Sequence, residues 1–180
     1  MTQISRVEQL EGQRLQGLAE LLVDVVDAGA SVSFMAPLAL SKALAFWQGL
    51  APEVAQGDRL LLVAEDAQGR VQGTVQLLLA QPDNQPHRAD LAKMLVHSRS
   101  RRQGLGEKLM IAAQAAALQA GKTLLVLDTV TGGDAERLYT RLGWQRVGDI
   151  PDFALMPDGA LCSTTLFYRR LAPELNDSSR

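Results

Sequence analysis

The chain has 180 residues, with 18 Lys and Arg against 20 Asp and Glu, a formal charge of −2, 47% hydrophobic and 4% aromatic content. That composition supports one core-forming domain, expected over residues 1–172 with a polar, frayed tail at 173–180. It excludes bulk disorder and disfavours nucleic acid as a partner. No apolar run nears the ~18 residues of a membrane span, no signal core follows the N-terminus, and the single Cys162 allows no internal disulfide or cysteine-based zinc site. The expectation is a cytoplasmic domain, without a membrane partner, acting on something small or on another protein.

Along the chain, residues 13–27 place Leu15, Leu18, Leu21, Leu22, Val25 and Val26 on one helical face, stopped at Gly29. A second helix is predicted from Ser41 as N-cap through Leu44, Trp47 and Leu50, with a kink or restart at Pro52 and an end at Gly57. The loop between them carries Phe34 and Met35, for which core packing and substrate contact both stand. Residues 59–65 and 70–80 read as a hairpin around the turn Asp66-Ala67-Gln68-Gly69, and 89–96 as a third strand. Residues 105–120 are a helix stopped by Gly121, 124–128 a buried strand, 134–142 a short helix, and 144–147 and 164–170 strands. With one strand ahead of the first helix, this is an α/β sheet with helices on its faces and a β-α-β crossover from 89 to 128.

Chemistry concentrates where the third strand meets the long helix, at Arg99-Ser100-Arg101-Arg102-Gln103-Gly104-Leu105-Gly106. The first turn of a helix has unpaired N–H groups and partial positive charge, glycines let an anion approach them, and Arg99, Arg101 and Arg102 add charge for a polyphosphate. Two glycines fall short of the dinucleotide fingerprint. Gly121-Lys122-Thr123 is rejected as a P-loop, because Ala116 stands where the earlier glycine should be and the triplet follows a helix.

Arg101 to Gly106 matches the Q/R-x-x-G-x-G/A motif of the GNAT N-acetyltransferase superfamily, and Ala135-Glu136-Arg137-Leu138-Tyr139-Thr140-Arg141-Leu142-Gly143-Trp144 resembles its A-x-x-L-Y-x-x-x-G-F/W segment. Gly29-Ala30-Ser31-Val32, Leu127-Asp128-Thr129 and Pro157-Asp158-Gly159 extend the likeness to a toxin-resistance member. The resemblance implies a mixed, mostly antiparallel central sheet splayed between two parallel strands, helices on both faces, and acetyl-CoA as donor. It also implies pantetheine contacts from Met94, Leu95 and Val96, and a pyrophosphate seat on the amides of Arg101, Arg102, Gln103, Gly104, Leu105 and Gly106. Gly132 departs from the family, which often has Asn there.

Transfer of acetyl to an amine requires a neutral amine and a proton for the departing thiolate. Asp128, at the end of a hydrophobic strand, is the candidate base, expected to be buried; a turn carboxylate is the plain alternative. Tyr139 is the candidate acid by its place in the family motif, against a plain core aromatic. The acceptor site is expected from Ser31, Phe34, Met35, Asp128 and Asp152, within a loop at 149–158. His87 and His97 lack metal-ligand spacing, so no metal is expected, and Cys162 lacks a cue for nucleophilic reactivity. The favoured reading is a small-molecule amine acetyltransferase, possible in toxin or antibiotic resistance, as a monomer or homodimer. Its rivals are a protein or peptide N-acetyltransferase and a non-catalytic acyl-CoA-binding domain.

Overall fold

The computed structural model describes residues 2–172; the tail expected at 173–180 lies outside them. Seven strands form one sheet: β1 (Gln3–Val7), β2 (Arg59–Glu65), β3 (Val71–Leu78), β4 (Arg88–Val96), β5 (Leu124–Val130), β6 (Gln145–Leu155) and β7 (Leu161–Arg170), in the order β1-β2-β3-β4-β5-β7-β6. Every neighbouring pair is antiparallel except β4 and β5. Helices α1 (Gly12–Asp27) and α2 (Leu40–Gln56) cover one face, and α3 (Leu105–Gln119) and α4 (Asp134–Arg141) the other.

The two faces are written in the period-2 pattern of β2. Leu60, Leu62 and Ala64 pack with Leu109, Met110 and Ala113 of α3, while Leu61 and Val63 pack with Leu18, Leu22 and Trp47 of α1 and α2. A strand covered on both sides is apolar throughout, which is why this segment reads as a continuous run. Gly73 of β3 sets how closely α3 sits: a Cβ there would lie 2.8 Å from the Leu95 carbonyl oxygen and 2.9 Å from Leu109 Cδ1.

Four expectations change. The N-cap of α2 is Ala39, with no side-chain cap, and Ser41 lies inside the first turn. The helix continues through Pro52 without a restart; Gln48, whose carbonyl loses its helical partner, is exposed, so that group is open to solvent. β5 continues two residues past Asp128. β6 runs to Leu155 and absorbs most of the loop expected at 149–158; it is an edge strand, which tolerates Pro151, and a register shift between Ile150 and Ala154 takes up Asp152 at φ 52°.

Two features of β4 open the sheet. It pairs with β5 only at Arg88↔Leu124, Ala89↔Leu125 and Asp90↔Val126. Beyond that point β4 stays with β3 and β5 stays with β7, so the strands part. Between Thr74↔Leu95 and Gln76↔Ala92, two residues of β4, Lys93 and Met94, oppose Val75 alone; this bulge holds Lys93 at φ 50°.

Candidate active site

The parted strands border a cleft of about 440 Å³, lined by β4 from Leu91 to Leu95, β5 from Leu127 to Val130, Tyr139 of α4, and the facing ends of β6 and β7. The loop after α1 roofs it. Ser31 Oγ donates to the Leu155 carbonyl at 2.9 Å, and the Ala36 N–H donates to the Pro157 carbonyl at 3.1 Å. Ser31, Phe34 and Met35 therefore lie in the cleft wall. Phe34 also packs edge-on against Phe46, with ring centroids 5.2 Å apart, so core packing and cleft lining are both true of it.

Asp128 and Tyr139 come together here. Asp128 is exposed to the cleft rather than buried, since the strand carrying it has lost its β4 neighbour. Its Oδ2 accepts from Thr164 Oγ1 at 2.7 Å, which fixes the carboxylate. Tyr139 is 4% exposed, its ring held between Trp144 and Phe167 at 6.0 Å from each. Burial pushes its phenol above the ordinary value, and the Asp128 charge adds to this, so the hydroxyl keeps its proton. Such a pair can take a proton at one oxygen and give one at another.

Asp152 and the other acidic and reactive side chains nearby divide between the cleft and the surface. Asp152 does not line the cleft. Asp149 accepts from Thr165 Oγ1 at 2.8 Å and pairs with Arg146; the threonine hydrogen bond and that guanidinium hold its carboxyl below the usual range. Asp158 caps its own turn through the Ala160 N–H at 3.0 Å. Cys162 borders the cleft with its sulfur 4.0 Å from Ser31 Oγ. Lys122 is buried and donates to the carbonyls of Leu79 and Pro86 at 2.8 Å each, a structural tie in place of a phosphate contact. Among the described residues no group of three or more His, Cys, Asp or Glu is placed to hold a metal, and no helix is long and apolar enough to cross a membrane.

At the turn after β4, a 3-10 segment (Ser98–Ser100) is anchored by Asp24, which accepts from Ser98 N–H and Oγ at 2.7 Å each. Arg101, Arg102 and Gln103 are exposed, and Gly104, at φ 75°, turns the chain into α3. That left-handed cap suits glycine, and the first-turn amides of α3 face outward without helical partners. The Leu105 side chain is buried, leaving its amide as the group available. Gly106 has a packing reason as well: a Cβ there would lie 3.2 Å from Leu138 Cδ2 of α4. Arg99 turns away, donating to Gln72 Oε1 and the Val71 carbonyl at 3.0 Å each, so its charge braces the sheet.

Sequence reasoning passed over two residues. Thr164 gave no signal, because a threonine in a strand is ordinary. Lys93 did give one, a lone cation in the run Ala89-Asp90-Leu91-Ala92-Lys93-Met94-Leu95-Val96. Burial, and the nearby Arg59, push its ammonium below the ordinary lysine value, against the opposing pull of Asp128.

A strand pair thus parts halfway, with a carboxylate and a phenol at the opening and a helix N-terminus beside it. The family model described as an acetyltransferase (GNAT) domain matches residues 57–146, half of the chain, and the chain belongs to the GNAT acetyltransferase family. Its fold is shared with solved structures across nearly the whole length. One, described as an acetyltransferase of Salmonella typhimurium with its cofactor acetyl-CoA, is 18% identical at TM-score 0.76, covering 100% of this chain and 99% of that one. Another, described as a phosphinothricin N-acetyltransferase, is 18% identical at TM-score 0.78, covering 96% and 100%. A ribosomal-protein-alanine N-acetyltransferase from Brucella melitensis is 20% identical at TM-score 0.78, covering 94% and 99%. At these identities the likeness is one of fold.

Proposed function

We propose that the chain transfers an acetyl group from acetyl-CoA to the amine of a small molecule. The observation that carries this is the opening between β4 and β5, where Asp128 and Tyr139 share one cleft. The residues present suit the cofactor: past Asp90 the β4 backbone has no strand on its β5 side, leaving peptide groups near Met94, Leu95 and Val96 for an amide-bearing arm, with the Val96 carbonyl also accepting from Arg101 Nε at 3.4 Å. The α3 amides from Leu105, beside exposed Arg101 and Arg102, suit its phosphates.

Bound acetyl-CoA would supply the acetyl thioester. Asp128, fixed by Thr164, attracts the acceptor ammonium and takes its proton, freeing the nitrogen lone pair. On attack the nitrogen has a second proton to shed as the C–N bond forms and the C–S bond breaks. The Tyr139 hydroxyl would give its own proton to the departing sulfur, and the proton leaving the nitrogen would restore the phenol. The buried phenol has a proton to give at neutral pH, although burial holds that proton more tightly than in a free tyrosine, so its transfer relies on the strongly basic thiolate that develops as the C–S bond breaks. The roofing contacts of Ser31 and Ala36 enclose the acceptor side and favour a small molecule over a protein substrate. The toxin-resistance likeness makes tabtoxinine-β-lactam a candidate acceptor, and phosphinothricin another.

Release of CoA thiol, measured across a panel of small amines with both candidates and a peptide N-terminus included, tests the proposal. Turnover on a small amine is expected. Turnover on peptides alone would point to a protein acetyltransferase, and CoA binding without release for any amine would point to a non-catalytic domain.

A further inference from the structure

Of the residues lining the cleft, one is a lysine, Lys93, and one an aspartate, Asp128, side chains of opposite sign. An amine acceptor accounts for the aspartate and leaves the lysine unexplained, since an ammonium there would repel a protonated amine. We propose that Lys93 selects the acceptor by holding a carboxylate that the molecule carries besides its amine, so that the substrate class is amino acids. This rests on the acetyltransferase reading above.

Three observations support it. The β4 bulge places Lys93 at φ 50°, a left-handed conformation that a lysine rarely adopts, in the wall of the cleft. Its ammonium donates to Ser33 Oγ at 3.1 Å, and Ser33, at φ 78°, is itself left-handed, so two strained residues on separate elements meet at that bond. Nζ also lies 5.7 Å from the centre of the Phe46 ring. Among the described residues, no carboxylate forms an ion pair with Lys93. A half-buried cation supported by a hydroxyl and an aromatic face, which feels Asp128 across the cleft but has no carboxylate in ion-pair contact, has room for the close counter-charge that such groups ordinarily take. A carboxylate bound by Lys93 and Ser33 Oγ would supply it, with the amine directed at Asp128.

The test compares L-amino acids with their carboxamides and their decarboxylated amines, by steady-state kinetics with acetyl-CoA and by calorimetric binding to the CoA-loaded protein. The expected result is that the best acid exceeds its own amide and amine by at least about tenfold in kcat/KM and in affinity. Lys93→Met should lower kcat/KM for that acid by roughly 10–100-fold, mainly through KM, and raise it for the decarboxylated amine by relieving repulsion. Lys93→Arg should retain the preference for the acid, and Lys93→Glu should turn it toward diamines. Equal handling of acid, amide and amine by the wild-type protein would overturn the inference, with no variant needed. An acid preference that persists in folded Lys93→Met would overturn it as well. Absence of turnover on every amine would overturn the acetyltransferase reading instead, while the binding comparison still decides the role of Lys93.

Discussion

At the scale of single residues, the proposed reaction asks some groups of the site to exchange protons and others to hold them in place. Tyr139→Phe removes a proton donor while keeping the ring that packs between Trp144 and Phe167. It should lower kcat by about 10²–10⁴-fold and leave the Kd for CoA unchanged; wild-type kcat in that variant would remove the phenol from the scheme. Thr164→Val takes away the donor to Asp128 Oδ2. A hydrogen bond to a charged group is worth about 1.5–3 kcal/mol, so kcat should fall by roughly tenfold or more, read by thiol release. Asp128 and Tyr139 were legible because a motif marks each. The exposure of Asp128 was not, since it depends on a neighbouring strand departing, and strand divergence has no residue signature. Lys93 was visible as an oddity, yet its place in the cleft depends on a bulge that the sequence does not announce.

Among the elements, the fit of α3 against the sheet controls where its N-terminus points. Gly73→Ala would drive a methyl into the Leu95 carbonyl and Leu109. It should destabilise the fold by about 1–3 kcal/mol in denaturant titrations, as overpacking does. The arginines of the turn should separate cleanly. Arg101→Ala is expected to weaken CoA binding, increasingly so at low salt, whereas Arg99→Ala should lower thermal stability with little change in CoA affinity, because Arg99 is bound to Gln72 and Val71. Helix and central-strand positions were legible from periodicity and glycine stops. β6 was misread because Gly148, Pro151 and Asp152 look like a loop, and only its position at the sheet edge makes them acceptable in a strand.

For the molecule as a whole, the joint between α1 and the turn after β4 makes stability depend on pH. Burial pushes His97 below the ordinary histidine value, with Arg99 and Arg101 adding to this and Asp24, 3.2 Å away, offsetting part of it. The folded state therefore binds fewer protons than the unfolded one in that range, so this contribution is present above about pH 6.5 and is lost as pH falls. Tm should drop between pH 7 and pH 5.5, and His97→Gln should flatten that dependence; an equally steep profile in the variant would place the effect elsewhere. On the proposed reading, the opening in the sheet and the nearby end of α3 together seat the cofactor, and the acceptor approaches from under the roof of residues 31–37. Backbone amide NMR during a CoA titration examines that arrangement directly. Shifts and slowed exchange are predicted at Met94, Leu95, Val96, Gly104, Leu105 and Gly106. Silence at these amides, with changes gathered instead in the groove of Gln13, Gly69 and Arg70, would contradict it.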